Sequence, residues 1–255
     1  MPESTTTRIT KLTVALRQLR PSQLHWVEKI AGALCNPCQV ELFRRDLFDE
    51  VSVLDFGDVL RIHHVFSAEP FTKDKFEYAL VQVLGWRGLD ASLAAKGNPG
   101  HDVTVGGARI SLKTQADKGI KRDAVWISKF MELGKGVWSD QLDDLQALRN
   151  AFLQHLECYD RIFTLRTVGR GPTWHYELLE IPKAVLALAR EGELEMRLAS
   201  KQTPKPGYCH VRDQHGALLF QLYFDAGSER KLQIKSLRAS ACVAHAEWRF
   251  TVPQV

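Results

Sequence analysis

The sequence predicts an α+β protein, with helices and strands mixed over its first 190 residues and strands dominating afterwards. Three observations carry this. Apolar residues recur at helical spacing in Phe76, Leu80, Val83 and Leu84, and again in Leu142, Leu145, Leu148, Phe152 and Leu156. Residues 101–105 and 109–115 alternate apolar and polar around Gly106-Gly107, as the two arms of a hairpin do. From Glu193 onward, short strand-like runs follow at 194–198, 208–212, 217–224, 231–237 and 244–252.

The elements are justified in order along the chain. Residues 1–45 form an N-terminal helical region, its helices running from about 10 to 45 and broken at Pro21 and near 35–37. Residues 60–66 read as a strand, which would point His63 and His64 to opposite faces. The stripe from Phe76 to Leu84 is a helix with Thr72 placed to cap its start. Residues 139–159 form the next helix, and 161–168 and 175–181 pair as strands around Gly169-Arg170-Gly171-Pro172. A helix over 182–190 carries Pro182 in its first turn, where proline is tolerated. The expected division is a helical region 1–45, a core 46–190 and a strand-rich part 191–255 continuous with it. The loop 201–207, with Lys201, Lys205 and two prolines, suits gripping a charged backbone, or serves as a plain connector.

Composition narrows the class. Of 255 residues, 45% are apolar, enough for a real core, and the net charge of +4 is compatible with a nucleic-acid partner. No stretch approaches a membrane span, and the start lacks the apolar run of a signal peptide, so a cytoplasmic protein is expected. Five scattered cysteines argue for reduced thiols rather than a disulfide framework. A zinc site joining Cys35 and Cys38 to Cys209 and His210 is the alternative, although no second Cys-x-x-Cys completes the usual spacing.

The hairpin carries the chemistry. A two-residue glycine turn sets Val105 opposite Ala108, Val103 opposite Ile110 and Asp102 opposite Ser111. Val103, Val105, Ile110 and Leu112 then share an apolar face, and Asp102, Ser111 and Lys113 share the other. A carboxylate able to hold a hard divalent cation thus lies diagonally across from an ammonium. Phosphodiester hydrolysis needs both: Mg²⁺ on carboxylates, and a lysine to orient water and balance developing charge. His101 sits beside Asp102, either touching phosphate or capping the strand, and the basic residues Lys118, Lys121 and Arg122 follow downstream. The plainer alternative is a surface hairpin with solvated charges.

An Asp followed by a strand ending in an apolar residue and Lys-Thr resembles the PD-(D/E)xK nucleases. Longer blocks are similar to type II restriction endonucleases of the SmaI kind: Asn98-Pro-Gly-His-Asp102, Leu112-Lys-Thr114, the run from Ile127 to Gly136 and Arg161-Ile-Phe-Thr-Leu-Arg166. So are the runs from Ser200 to Tyr208 and from Tyr223 to Lys235, with a weaker likeness reaching back to about Phe48 and the first forty residues unmatched. The resemblance implies a restriction-endonuclease-like core with a mixed central sheet flanked by helices. It implies a Mg²⁺-dependent homodimer that cuts double-stranded DNA at the palindrome CCCGGG to leave blunt ends, with a cognate DNA methyltransferase as genetic partner.

One departure matters. The family pattern places Asp or Glu two residues before the lysine, where this chain has Ser111, a poorer metal ligand. Glu77, at the edge of the helical stripe, is the expected replacement, since in this fold the helix before the hairpin often lends a glutamate. The other reading of Glu77 is an ordinary boundary carboxylate. Gln115, on the Lys113 face, is a weaker candidate for orienting water.

An alternative catalytic set is Asp225, Gln233 and Lys235, another acid, turn and strand ending Gln-x-Lys. No helix with a well-placed glutamate precedes it, and Arg230, Lys235 and Arg238 suit phosphate or base contact better. With Lys201 and Lys205 they are the candidate DNA contacts of the second half. Two other functions remain open from the sequence: a DNA-binding protein that has lost cleavage, as Ser111 suggests, and a structure-directed repair nuclease.

Overall fold

The computed structural model describes residues 3–95, 97, 98, 100–134 and 138–252. Pro99, in the block before Asp102, and Lys135 and Gly136, which end another quoted block, lie outside the described residues, as do Met1, Pro2, Lys96, Val137 and residues 253–255. The chain opens with α1 (Thr5–Leu16) and α2 (Pro21–Cys35), the latter starting at the expected proline. Helix does not continue to residue 45 as expected: Cys38–Leu42 is a strand, β1. The helices α3 (Ser52–Phe66) and α4 (Lys73–Trp86) follow, then β2 (Ala91–Leu93), β3 (Val103–Val105), β4 (Ala108–Gln115) and β5 (Ala124–Glu132). After α5 (Leu142–His155) come β6 (Arg161–Gly169), β7 (Thr173–Glu180) and the short α6 (Lys183–Ala187). The remaining strands are β8 (Glu193–Met196), β9 (Gly207–Arg212), β10 (Leu218–Asp225), β11 (Lys231–Arg238) and β12 (Val243–Thr251).

These strands form two sheets. The first has seven strands in the order β1-β12-β7-β6-β4-β3-β2 and is mixed, β4 and β6 running parallel while its other neighbours are antiparallel. The second has five antiparallel strands, β5-β11-β10-β9-β8. Both sheets cross the expected boundary at residue 190. β5 comes from the first part and joins the second sheet, while β12 returns from the last part to lie between β1 and β7 in the first.

Two cores result. Along β4, Ile110 and Leu112 join α3, α4 and the large aromatic residues Phe48, Phe56, Phe76 and Trp248 in one apolar cluster. Trp248 donates from Nε1 to the carbonyl of Val53 at 2.8 Å, and α3 lies flush on it because residue 57 is glycine: a Cβ there would meet the indole at 2.8 Å. The other cluster lies between α5 and the inner face of the five-stranded sheet, with Ile162 and Leu179 closing it from the first sheet. On α5, Leu145 and Phe152 are buried, as is Leu156 just beyond, but Leu142 is exposed.

One expected strand is a helix. Residues 60–66 belong to α3, so His63 and His64 are not on opposite faces; their ring centroids are 4.7 Å apart. Adjacent apolar residues satisfy either period when the window is this short, and burial on both sides of a helix against α2 and α4 removes the polar alternation that separates them.

Candidate active site

The hairpin forms with the expected register: Val103 pairs Ile110 and Val105 pairs Ala108. Gly106 and Gly107 adopt φ of 54° and 84°, the left-handed conformation that such a turn requires and that glycine takes without steric cost. Asp102 lies just before β3. Its Oδ2 accepts from the Leu112 amide at 2.6 Å and from the Ser111 hydroxyl at 3.3 Å. Lys113 Nζ donates to that same hydroxyl at 3.0 Å. Asp102, Ser111 and Lys113 thus converge as the pattern of the hairpin predicts.

Helix α4 supplies the rest. It packs Phe76, Ala79, Leu80, Val83 and Leu84 into the core, and this sets Glu77 at the boundary facing Asp102. Thr72 occupies the position before the helix with extended backbone, but its side chain makes no capping bond, contrary to expectation. The entry to α4 is held instead by the Phe71 amide, which donates to the Tyr176 hydroxyl at 3.0 Å. The sequence reading missed Lys73. Its Nζ lies 2.7 Å from Asp102 Oδ1 and 3.1 Å from Glu77 Oε1, so the two carboxylates share one ammonium. The spacing of Lys73 and Glu77, one helical turn apart, was the available signal.

A cleft of about 760 Å³ opens over this group, lined by Lys73, Asn98, Asp102, Lys113 and Thr114, by residues 127–132 of β5, and by His155. Lys113 is 8% exposed and sits 5.4 Å from the centre of the Phe130 ring. Burial lowers its pKa to about 8, against the opposing pull of Asp102. Burial also raises Glu77 above the usual carboxylate range although Lys73 opposes it, and lowers His155. An amine with depressed basicity beside two carboxylates on an open cleft can hold water and a phosphate while the carboxylates hold a cation.

Other candidates fall elsewhere. Gln115 is buried, and its Oε1 accepts from Arg166 Nε at 3.0 Å. His101 Nδ1 pairs with the side chain of Asn98 at 3.1 Å. Lys118 and Lys121 are exposed, and Arg122 is exposed with an ion pair to Glu247 at 3.0 Å. Lys201 is exposed on its loop, while Lys205 Nζ donates to the Ser200 carbonyl at 2.7 Å. Arg230 closes the β10–β11 turn with φ 35°, and Arg238 pairs Asp213 at 2.6 Å.

The alternative set does assemble in part, Gln233 Nε2 donating to Asp225 Oδ2 at 3.0 Å on the outer face of the second sheet. Lys235, however, lies 3.7 Å over the ring of Tyr223, with Tyr208 and Trp126 nearby. That box of rings holds the ammonium by cation–π attraction. It provides no second carboxylate for a cation.

No zinc site forms from the expected residues. Cys38 packs against the first core and Cys209 lies buried in the second, and all five cysteines are free thiols. Among the described residues, one set of three potential metal-ligating side chains converges, Asp46, Glu180 and His245. Arg161 already fills it, donating to Glu180 at 2.6 and 2.9 Å and to Asp46 at 2.9 Å. No helix among the described residues is long and apolar enough to cross a membrane.

Comparison with known proteins identifies the family. The model of the family described as SmaI, Type II site-specific deoxyribonuclease, matches residues 12–250. The match therefore begins well before Phe48, taking in α2 and the end of α1. Type II restriction enzyme SmaI of Serratia marcescens is 44% identical over 215 residues, covering 84% of this chain and 83% of its own. No solved structure matches the chain. With a family match over nearly its whole length and a relative this similar, the chain belongs to the SmaI family of type II restriction endonucleases.

Proposed function

We propose that this restriction endonuclease cuts both strands of double-stranded DNA by Mg²⁺-dependent hydrolysis at Asp102, Glu77 and Lys113. The observation that carries the assignment is the sharing of one ammonium by Asp102 Oδ1 and Glu77 Oε1, with Asp102 and that lysine lining the cleft. Two carboxylates gathered around one cationic point are the hard oxygen donors that Mg²⁺ takes, so the residues fit the metal. Asp102 and Glu77 would hold it, and when bound it supplies charge neutralisation and an acidic water. Lys113, held over the site by Ser111 and Phe130, positions the attacking water and balances charge on the phosphate. The products are a 5′-phosphate and a 3′-hydroxyl.

The resemblance further implies CCCGGG as target, cut at its centre. A palindrome calls for a two-fold homodimer, one subunit to each half-site. Residues 46–190 act as the nuclease core in a restriction-endonuclease-like fold. Residues 191–255 contribute the DNA-reading surface, with Lys201, Lys205, Arg230, Lys235 and Arg238 as contacts and Lys118, Lys121 and Arg122 along the backbone. The enzyme works in the cytoplasm alongside a cognate methyltransferase that protects the same site. Incubation with mixed plasmid DNA, in Mg²⁺ and in EDTA, followed by sequencing of the ends, tests this. Discrete Mg²⁺-dependent fragments with blunt CCC and GGG ends are expected. Uncut but gel-shifted DNA would overturn cleavage at this site, and random nicks would overturn the palindrome.

A further inference from the structure

We propose that Lys73 is a built-in counter-cation of the metal site, and that a divalent ion enters only by displacing it. The proposal rests on the reading of Asp102 and Glu77 as the metal-holding pair. Lys73 is the first residue of α4 and Glu77 is one turn later, so both project from the same face. Asp102 arrives from the neighbouring hairpin. Its Oδ2 is fixed by the Leu112 amide and the Ser111 hydroxyl, which leaves Oδ1 to face the cleft, and Lys73 holds that oxygen at 2.7 Å.

The three side chains are 39%, 19% and 16% exposed for Lys73, Glu77 and Asp102, so their mutual fields are only partly screened by water. With the ammonium in place the group carries a net charge of one unit; without it, two half-buried carboxylates face each other. A divalent cation competes for the same two oxygens and is repelled by an ammonium held 2.7 and 3.1 Å from them. Metal entry is therefore an exchange. The contacts described for the Lys73 ammonium are with these two carboxylates alone, and the side chain also lines the cleft. Once displaced, it swings over the place where a DNA phosphate would lie. Metal and DNA then favour each other's binding, because the phosphate gives the released charge a partner.

The test is Mn²⁺ binding to the full-length protein, read by electron paramagnetic resonance, without DNA. Lys73→Met should bind Mn²⁺ about five- to tenfold more tightly than the native chain. Lys129→Met, which removes another rim ammonium, one that pairs Glu132 at 2.9 Å, should change binding by less than about twofold. Equal or weaker binding in Lys73→Met, with Asp102→Asn losing Mn²⁺, overturns the exchange alone. Full binding in Asp102→Asn overturns the site beneath it. If Lys73→Met does not fold, the native protein decides: Mn²⁺ should increase acetylation of Lys73 by acetic anhydride, measured by mass spectrometry. Unchanged or reduced labelling overturns the proposal.

Discussion

The Ser111 hydroxyl stands between Lys113 and Asp102, accepting from the first at 3.0 Å and donating to the second at 3.3 Å. The PD-(D/E)xK pattern that the hairpin resembles has a carboxylate at this position. Ser111 is fully buried, so an acid placed there would have no water to screen it. Ser111→Asp is expected to destabilise the protein in EDTA by about 1–3 kcal/mol, through repulsion with Asp102. Mg²⁺ should restore that loss. Thermal unfolding with and without Mg²⁺ checks it; a metal-induced shift no larger than in the native protein would sink the idea.

Lys113 predicts a trade of stability against activity. Burial lowers its pKa from 10.5 to about 8, so below pH 8 the folded state holds a charge that it disfavours. Between about 8 and 10.5 the unfolded chain binds more protons, and stability from this group rises with pH across that window. Lys113→Met in EDTA should therefore be more stable than the native protein at pH 7 by about 1–3 kcal/mol, with the gap closing near pH 10. Cleavage should fall by about 10²- to 10⁴-fold. Urea denaturation at the two pH values and single-turnover cleavage are the measurements.

Under the proposed assignment, variants of Lys235 and Lys113 should separate reading from cutting. Lys235 rests on Tyr223 in an aromatic box formed with Tyr208 and Trp126. Lys235→Ala should weaken DNA binding while leaving the chemical step intact at saturating protein, whereas Lys113→Ala should bind and not cut. The reverse result would move the catalytic site to the second sheet.

Arg166 fixes the passage from β4 to β5. It is fully buried, pairs Glu177 at 2.5 Å, and donates to the carbonyls of Lys121, Arg122 and Ala124 as well as to Gln115. Arg166→Met strands a buried carboxylate and leaves three carbonyls without this donor, which should cost about 3–5 kcal/mol. Arg122→Met, on an exposed side chain, should cost far less. Urea midpoints of the two variants decide, and equal midpoints would contradict the role given to Arg166.

The hairpin and α4 were legible because their signals are local. A two-residue turn at Gly106-Gly107 fixes the partner of every residue from Asp102 to Lys113. Four apolar residues at helical spacing leave α4 one face to bury, which places Glu77 at its edge. The rest depended on contacts distant in sequence. β1 pairs with β12, and nothing in Cys38–Leu42 announces a partner two hundred residues away. β5 pairs β11 through two register shifts, which break the alternation that marks a strand. Lys73 looked like one charge among several at a helix start until Asp102 came to meet it. Gln115 shared a strand face with Lys113, but Arg166 claims it from the neighbouring strand.

Trp248 and Phe250 lie on β12, late in the chain, yet they form part of the floor on which α3 and α4 rest. During synthesis, Glu77 and Lys73 leave the ribosome some 170 residues before that floor exists. A partly made chain thus holds every residue named for cutting without the packing that aligns them. A chain that stops before β12 is therefore expected not to cut, although it already carries the residues proposed for cutting.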